Sequence, residues 1–436
     1  MAEYLSPGVY VEEYDNSPRV IEGVGTSTAG FVGLAEKGPV VGAPLLVGSY
    51  KSFVQQFGGY LSEFEFGEYR YLAASVEQFF ANGGTRCYVM RVAPADAECA
   101  SAQKGIFKAT AKNPGKWGNR VQIQVSNVRN RKMQVMEKTE AGYKVRTADG
   151  FREGDSVEFD GSYFKILTIL DNIVTFDADL PEKAIDNALV PKNVLYLANF
   201  DLTVRYADQV EAYTDLSLNI SSPRFLAARM NGSELVDIEV EAPDTAVDPV
   251  AAILENDGAN GSFLLEGGTN GNIKKINAGT FIGVDEGPGK RTGIQAFLEN
   301  NIVSMMAVPG ITTPEVMVSL ISHCENTHSR FAVLDMPKEL YKTKDLLDYR
   351  SMVDSSYAAM YHPWVQVFDR AANKPAFVPP SGAVMGVYSR TDIARGVHKA
   401  PANEIVQCTG LSFNYTTEEQ DILNPEGVNL IRALPG

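Results

Sequence analysis

Between Phe281 and Ala400 the chain alternates short apolar runs with longer amphipathic ones. FIGV (281–284), IVSMMAVPG (302–310) and RFAVLDMP (330–337) are apolar runs of strand length. KRTGIQAFLENN (290–301) and TTPEVMVSLISHCENTHS (312–329), set between them, carry helical spacing. Such alternation predicts parallel strands joined by crossover helices, because a strand buried on both faces reads as one continuous apolar run. In the second helix Thr313 is placed to cap and Pro314 to take the first helical position, where a missing N–H goes unused. Val316, Leu320, Ile321 and Cys324 then share one face. A strand-like SYAAMYHPWVQVFD (356–369) follows.

The front of the chain repeats the pattern. TAGFVGLA (28–35), APLLVGS (43–49) and TRCYVMRVA (85–93) predict strands. SYKSFVQQFG (49–58) predicts a helix capped by Ser49, and Leu72, Val76, Phe79 and Phe80 form one helical face in YLAASVEQFFANGG (71–84). Gly83–Gly84 supplies the left-handed residue that ends such a helix.

The middle reads differently. AKNPGKWGNRVQIQVSNV (111–128) alternates Val121, Ile123 and Val125 with polar residues, the mark of a half-buried strand. KVRTADG, DSVEFDG, YFKILTIL and NIVTFDADL follow from Lys144 as short strands, with the Asp-Gly pairs at 149–150 and 160–161 as hairpin turns. Together they predict a small barrel or sandwich at about 140–190. The stretch 193–218 predicts a long strand and then a loop, and SSPRFLAARMN (221–231) a short helix with Ser222 as cap. EAPDTAVDP (241–249) reads as a linker before FLLEGGTNG (263–271). The fold class that results is an α/β (mixed α+β) core with inserted, mainly β domains.

Composition narrows the function. At 436 residues the chain exceeds one typical domain, and 44% hydrophobic with 21% charged residues is ordinary for globular protein. The net charge of −15 repels phosphates and anionic lipids, so no nucleic acid partner is expected. No membrane insertion is expected either, since no apolar run reaches spanning length. MAEYLSPGVY has neither the basic nor the apolar region of a secretory signal, which predicts assembly in the cytoplasm. Cys87, Cys99, Cys324 and Cys408 lie far apart and read as buried thiols.

Candidate chemistry fails on inspection. GVGTSTAG (23–30) has Thr28 where a dinucleotide loop needs its third glycine. GVDEGPGKRTG (283–293) has Val284 in place of a phosphate loop's first glycine and Arg291 in place of its Ser or Thr. His323 and His328, five residues apart on a helix, point ~140° away from each other and cannot share a metal. His362 and His398 read as structural. RNRK (129–132) is too small for nucleic acid and is a candidate for meeting an acidic patch on a neighbouring subunit. Pro7, Gly8, Val9, Tyr10 and Val11 form a β-prone patch with two readings: an edge strand of the chain's own core, or an arm that adds a strand to a neighbour's sheet.

The run PAFVPPSGAVMGVYSRTDIARGVHKAPANE (375–404) closely resembles the tail sheath proteins of contractile phages and related injection particles. The matching pattern is Pro379, Pro380, Ser381, Gly382, a helix ending in Thr391 and Asp392, then Arg395, Gly396, Val397, His398, Lys399, Ala400, Pro401, Ala402 and Asn403. The opening SPGVYVEE and the entry PGKWGN (114–119) are similar to the same family. The resemblance implies a linking arm at 1–20, a conserved core from 21–100 plus 255–436, and inserted domains over 101–254. It implies a structural subunit with no catalytic, cofactor-binding or metal site. Its partners would be neighbouring sheath subunits, an inner tube protein, and baseplate and tail terminator proteins, in a phage virion tail or phage-like particle. Family chains continue beyond the point matching Asn429–Gly436, so a monomer or weak oligomer is expected of this sequence. Two other classes stay open on the residues. One is an enzyme with its site near Gly289–Thr292, served by Asp285 and Asp335; the other is a surface carbohydrate-binding module using Tyr163, Phe164 and Phe176.

Overall fold

The strand Ala29–Leu34 is buried along its whole length, which requires neighbours on both edges and cover on both faces. A computed structural model, which describes residues 27–185, 193–241 and 243–433, supplies both. Among the described residues the largest sheet has seven strands. Its order is Leu45–Val47, Cys87–Val92, Ala29–Leu34, Met305–Ala307, Phe331–Asp335, Ala358–His362 and Val428–Leu430. All neighbours pair parallel except Leu45–Val47, which runs antiparallel at one edge.

Successive strand residues point to opposite faces, so the sheet sorts its side chains into two cores. Phe31, Val89, Met305 and Val333 pack on one side under the helices Tyr50–Phe57, Leu72–Ala81 and Ser381–Arg395. Val32, Met90, Met306 and Leu334 pack on the other under Pro314–Thr327, Thr343–Arg350 and Thr417–Leu423. Ser49 caps its helix as expected, its hydroxyl accepting from the Ser52 amide at 3.1 Å. Pro314 takes the first helical position, while the Thr313 hydroxyl makes no capping bond.

Three expectations for this region are corrected. FIGV is not a strand: the helix Ala278–Ile282 runs through it, held by a capping box in which the Asn277 and Thr280 side chains satisfy each other's amides. The segment 290–301 forms a tighter 3-10 helix, Gly293–Glu299. SYAAMYHPWVQVFD breaks at Pro363, which has no N–H to give a ladder. Ala358–His362 stays in the main sheet, and Val365–Asp369 crosses to a small sheet with Lys374–Val378 and Gly410–Leu411.

The intervening chain is mainly β. Gln122–Val128 and Asn199–Tyr206 pair antiparallel at the centre of a four-stranded sheet flanked by Gln209–Leu216 and Gly261–Leu264. Ile123, Val125, Leu202, Val204 and Trp117 form its core. A closed barrel is built from Lys132–Thr139, Gly142–Val145, Ser156–Phe159, Ser162–Leu170, Ile173–Phe176 and Val194–Leu197. Asp160 and Gly161, at φ 50° and 79°, turn a tight hairpin there. Asp149–Gly150 closes no hairpin, because the strands before and after it are not neighbours in the barrel. The stretch 193–218 holds three strands rather than one. The helix expected from Ser222 begins at Leu226, and the Ser222 hydroxyl accepts from the Arg224 amide instead of capping.

This part is joined to the sheet through Lys37. Its ammonium lies 4.7 Å from the Tyr206 ring centroid and donates to Gln209 Oε1 at 3.2 Å. No helix among the described residues is long and apolar enough to cross a membrane.

Candidate functional site

The motif singled out in the sequence is a buried helix followed by an exposed hook. Ser381–Arg395 begins where the strand Phe331–Asp335 ends, and the two are tied directly. Asp335 Oδ1 accepts from the Ser381 amide at 2.8 Å, and Oδ2 accepts from the Ser381 hydroxyl at 2.8 Å and the Gly310 amide at 3.0 Å. Burial pushes the Asp335 carboxyl up to about 6, although these donors work the other way.

Gly382 and Gly386, four apart, lie on one side of the helix. A Cβ on Gly382 would stand 2.1 Å from the Ser75 carbonyl oxygen, and one on Gly386 would stand 2.5 Å from that of Phe79. The motif helix therefore lies backbone to backbone on Leu72–Ala81, a fit open only to glycine. Thr391 and Asp392 do not end the helix; it runs on to Arg395, with the Thr391 hydroxyl donating to the Val387 carbonyl at 2.8 Å.

The segment after Arg395 is braced at several points. Arg390 donates to the Asn82 carbonyl at 3.2 Å and the Ile405 carbonyl at 2.8 Å. Asn82 Oδ1 accepts from the Gln407 amide at 2.7 Å, and Glu404 pairs with Lys399 at 3.1 Å and Arg390 at 3.5 Å. The motif residues divide accordingly: Pro380, Ser381, Gly382 and Thr391 are buried, whereas Arg395, His398 and Asn403 are exposed. Gly396 ends the helix at φ 88°, and Lys399 and Pro401 are half-buried in the hook. Asn82, Arg390 and Glu404 are partners that the sequence reading missed. Asn82 lies 325 residues from Gln407, so spacing carries no signal of that contact. The four-residue glycine spacing was the legible clue to the helix contact. Pro7, Gly8, Val9, Tyr10 and Val11 lie outside the described residues.

The other candidates do not converge on chemistry. Arg291 is held by Asp285 at 2.7 Å and Glu299 at 2.7 Å, and the neighbouring Lys290 stands exposed to solvent, so no set of ionisable groups converges at Gly289–Thr292. The Asp335 carboxylate is already spent on Ser381 and Gly310. His323 is buried, its Nε2 3.0 Å from Arg330 Nη1, and burial beside that cation pushes its pKa down to about 4. His328 is the left-handed C-cap of its helix, its Nδ1 3.1 Å from the Tyr357 hydroxyl. His362 is fully buried with neither ring nitrogen partnered among the described residues, and burial pushes it down to about 4. No group of metal-ligating side chains occurs among the described residues. In RNRK, Arg129 pairs with Glu158 at 3.3 Å and Arg131 with Asp215 at 3.0 Å within the chain. Of the aromatics considered for carbohydrate, Phe164 and Phe176 are buried in the barrel core.

Comparison with known proteins bears on the same region. Residues 286–436 match the family model described as the phage tail sheath protein central domain. A relative from Pseudomonas aeruginosa, described as a prophage major tail sheath protein, is 28% identical over 144 residues, 32% of this chain and 37% of its own length. Thus the chain spans under two fifths of that relative. Among solved structures, a sheath tail protein from Desulfitobacterium hafniense aligns with 98% of this chain and 72% of its own at 11% identity and a TM-score of 0.47. One from Listeria innocua aligns with 93% and 65%, at 11% identity and a TM-score of 0.48.

Proposed function

We propose that the chain, whose residues 286–436 match the phage tail sheath protein central domain, is a structural subunit of a contractile tail sheath. In this reading copies stack as six-membered rings around an inner tube, starting from a baseplate and ending at a terminator. Contraction drives the tube through a target envelope. The observation that carries the reading is the family match itself, which encloses the whole motif helix and its braced hook.

The physics of such a device asks for rigid subunits that move as bodies between two lattices. A backbone-to-backbone helix pair and an anchored helix start meet that demand, since close-packed interiors shift between discrete arrangements rather than deforming. No catalytic step is required, because the energy resides in the extended packing. Pro7, Gly8, Val9, Tyr10 and Val11 serve as the strand-adding arm that keeps neighbours linked during the movement. Negative-stain electron microscopy of the chain with and without residues 1–20 tests this. Weak, concentration-dependent end-to-end oligomers that disappear with the arm are expected; monomers from both versions at every concentration would overturn the arm's linking role.

A further inference from the structure

The braced hook presents apolar side chains to solvent. Ile393, at the end of the motif helix, and Val397 and Ile405 beyond it are 61%, 62% and 72% exposed, although hydrogen bonds tie the Ile405 carbonyl to Arg390 and the Gln407 amide to Asn82. Single exposed apolar residues are ordinary; three held out by one rigid hook mark a contact surface. Within the hook, Arg390 and Lys399 share the single carboxylate of Glu404, while Arg395 takes no carboxylate among the described residues. With Asp392, half-buried beside Ile393, the surface is apolar with a net positive charge.

A complementary surface lies across the sheet. The helix Thr417–Leu423 turns Leu423 into the core and exposes Ile422, at 52%, beside Glu418 and Asp421, with Glu426 just beyond. None of these three carboxylates has an ion-pair partner among the described residues; Arg432 lies against the same helix but donates to Gln420 and Thr417, and the face stays net acidic. Leu423 belongs to the core on the face of Val32, Met90 and Met306, whereas the motif helix belongs to the core on the face of Phe31, Val89 and Met305. Hook and acidic helix thus lie on opposite sides of one sheet and cannot meet within a chain.

We propose that the hook of one copy, through Ile393, Arg395, Val397 and Ile405, docks on the Thr417–Leu423 helix of a second copy, around Ile422 and its carboxylates. Charge complementarity points to a second copy as the occupant: two chains of net −15 repel on average, and a contact that sets a cationic apolar surface against an acidic one offsets that repulsion. A contact between unlike surfaces on opposite sides repeats head to tail, closing as a ring or continuing as a helix. This rests on the sheath reading and names the surfaces that reading leaves open.

The test joins Val397→Cys and Ile422→Cys in the full chain, oxidised with diamide, with each single variant reading the background from the native cysteines. A ladder of covalent multimers confined to the double variant is expected. Arg395→Glu should weaken self-association about tenfold, as should Asp421→Arg, and mixing the two variants should restore it, because the reversed charges again face each other. Matching far-ultraviolet circular dichroism shows that each variant folds. If rings or tubes form without the ladder, and the reversals change nothing, the contact is wrong while the sheath reading stands. If the ladder forms without rings or tubes, the contact holds and the sheath reading fails. A chain that remains monomeric overturns the contact.

Discussion

Ser381 donates two hydrogen bonds to Asp335, one from its amide and one from its hydroxyl, each 2.8 Å long. The pair fastens the carboxyl end of a central strand to the first residue of the motif helix. In a fold of this class that end of the sheet is where a ligand would sit. Here it is occupied by a structural joint.

Removing the joint should be costly. Asp335→Ala leaves the buried Ser381 amide and hydroxyl and the half-buried Gly310 amide without this partner, and a loss of about 2–5 kcal/mol is expected. Ser381→Ala keeps the amide bond and should lose only about 1 kcal/mol. Urea unfolding of both variants at pH 7 measures the difference. Equal losses would show that the Ser381 hydroxyl bond, not the two amide bonds to the carboxylate, carries the whole effect.

The glycine contact makes a second prediction. Alanine in an ordinary helix position gains up to about 1 kcal/mol over glycine. At Gly382 or Gly386 it would drive a methyl into a carbonyl of Leu72–Ala81, and a net loss of about 1–3 kcal/mol is expected. Gly232→Ala, with nothing within 4 Å, is the control and should change stability by less than about 0.5 kcal/mol. Thermal unfolding of the three variants checks this.

Acidification should destabilise the fold before its surface ion pairs titrate. His323 and His362, held neutral at about 4, charge in the unfolded chain below the ordinary histidine value of 6.5. The unfolded state therefore binds more protons, and each histidine withdraws stability as pH falls from 6.5 towards 4. Asp335 has the opposite sign: raised from 3.8 to about 6, it holds a proton when folded, so acidification through 6 relieves the cost of its buried charge. Asp155 and Asp392, raised by burial, share the sign of Asp335. Glu65, lowered by its hydrogen bond from Lys116, shares that of the histidines. With both histidines displaced down to about 4, a net decline between pH 6.5 and 4 is expected. Asp335→Asn removes the gain and should steepen the decline. Urea midpoints across this range decide, and a flat profile would contradict the histidine burial.

Lys37 should be worth about 1–2 kcal/mol to the junction between the sheet and the β insert, the scale of a partly desolvated cation over an aromatic ring. Lys37→Met should lose it, while Lys37→Arg should retain most of it, because a guanidinium also stacks on Tyr206. Unfolding followed by fluorescence of Trp117, with Trp364 replaced by Phe, reports on the insert itself.

The parallel sheet was legible because its strands are buried on both faces and read as apolar runs; Ala29–Leu34, Cys87–Val92 and Phe331–Asp335 fall where those runs lie. FIGV misled for a physical reason. Four residues are too few to separate strand from helix by period, and the Asn277–Thr280 capping box decided the outcome. Lys132–Thr139, rich in Lys, Met, Gln and Glu, shows little strand preference and is a barrel strand only through its pairing with Gly142–Val145 and Val194–Leu197. At the motif, the residue string was plain in the sequence, but its partners were not. Asp335, Asn82 and Ser75 reach it across the fold, where no local spacing points.

The central claim is that this chain forms the sleeve of a contractile tail. Antibodies raised against it, applied to lysates of the cells that carry its gene and viewed by electron microscopy, test this most directly. Label along the full length of a sleeve that shortens on contraction is the expected result. Label absent from every tail-like particle, with the chain recovered only as soluble protein, would contradict the account.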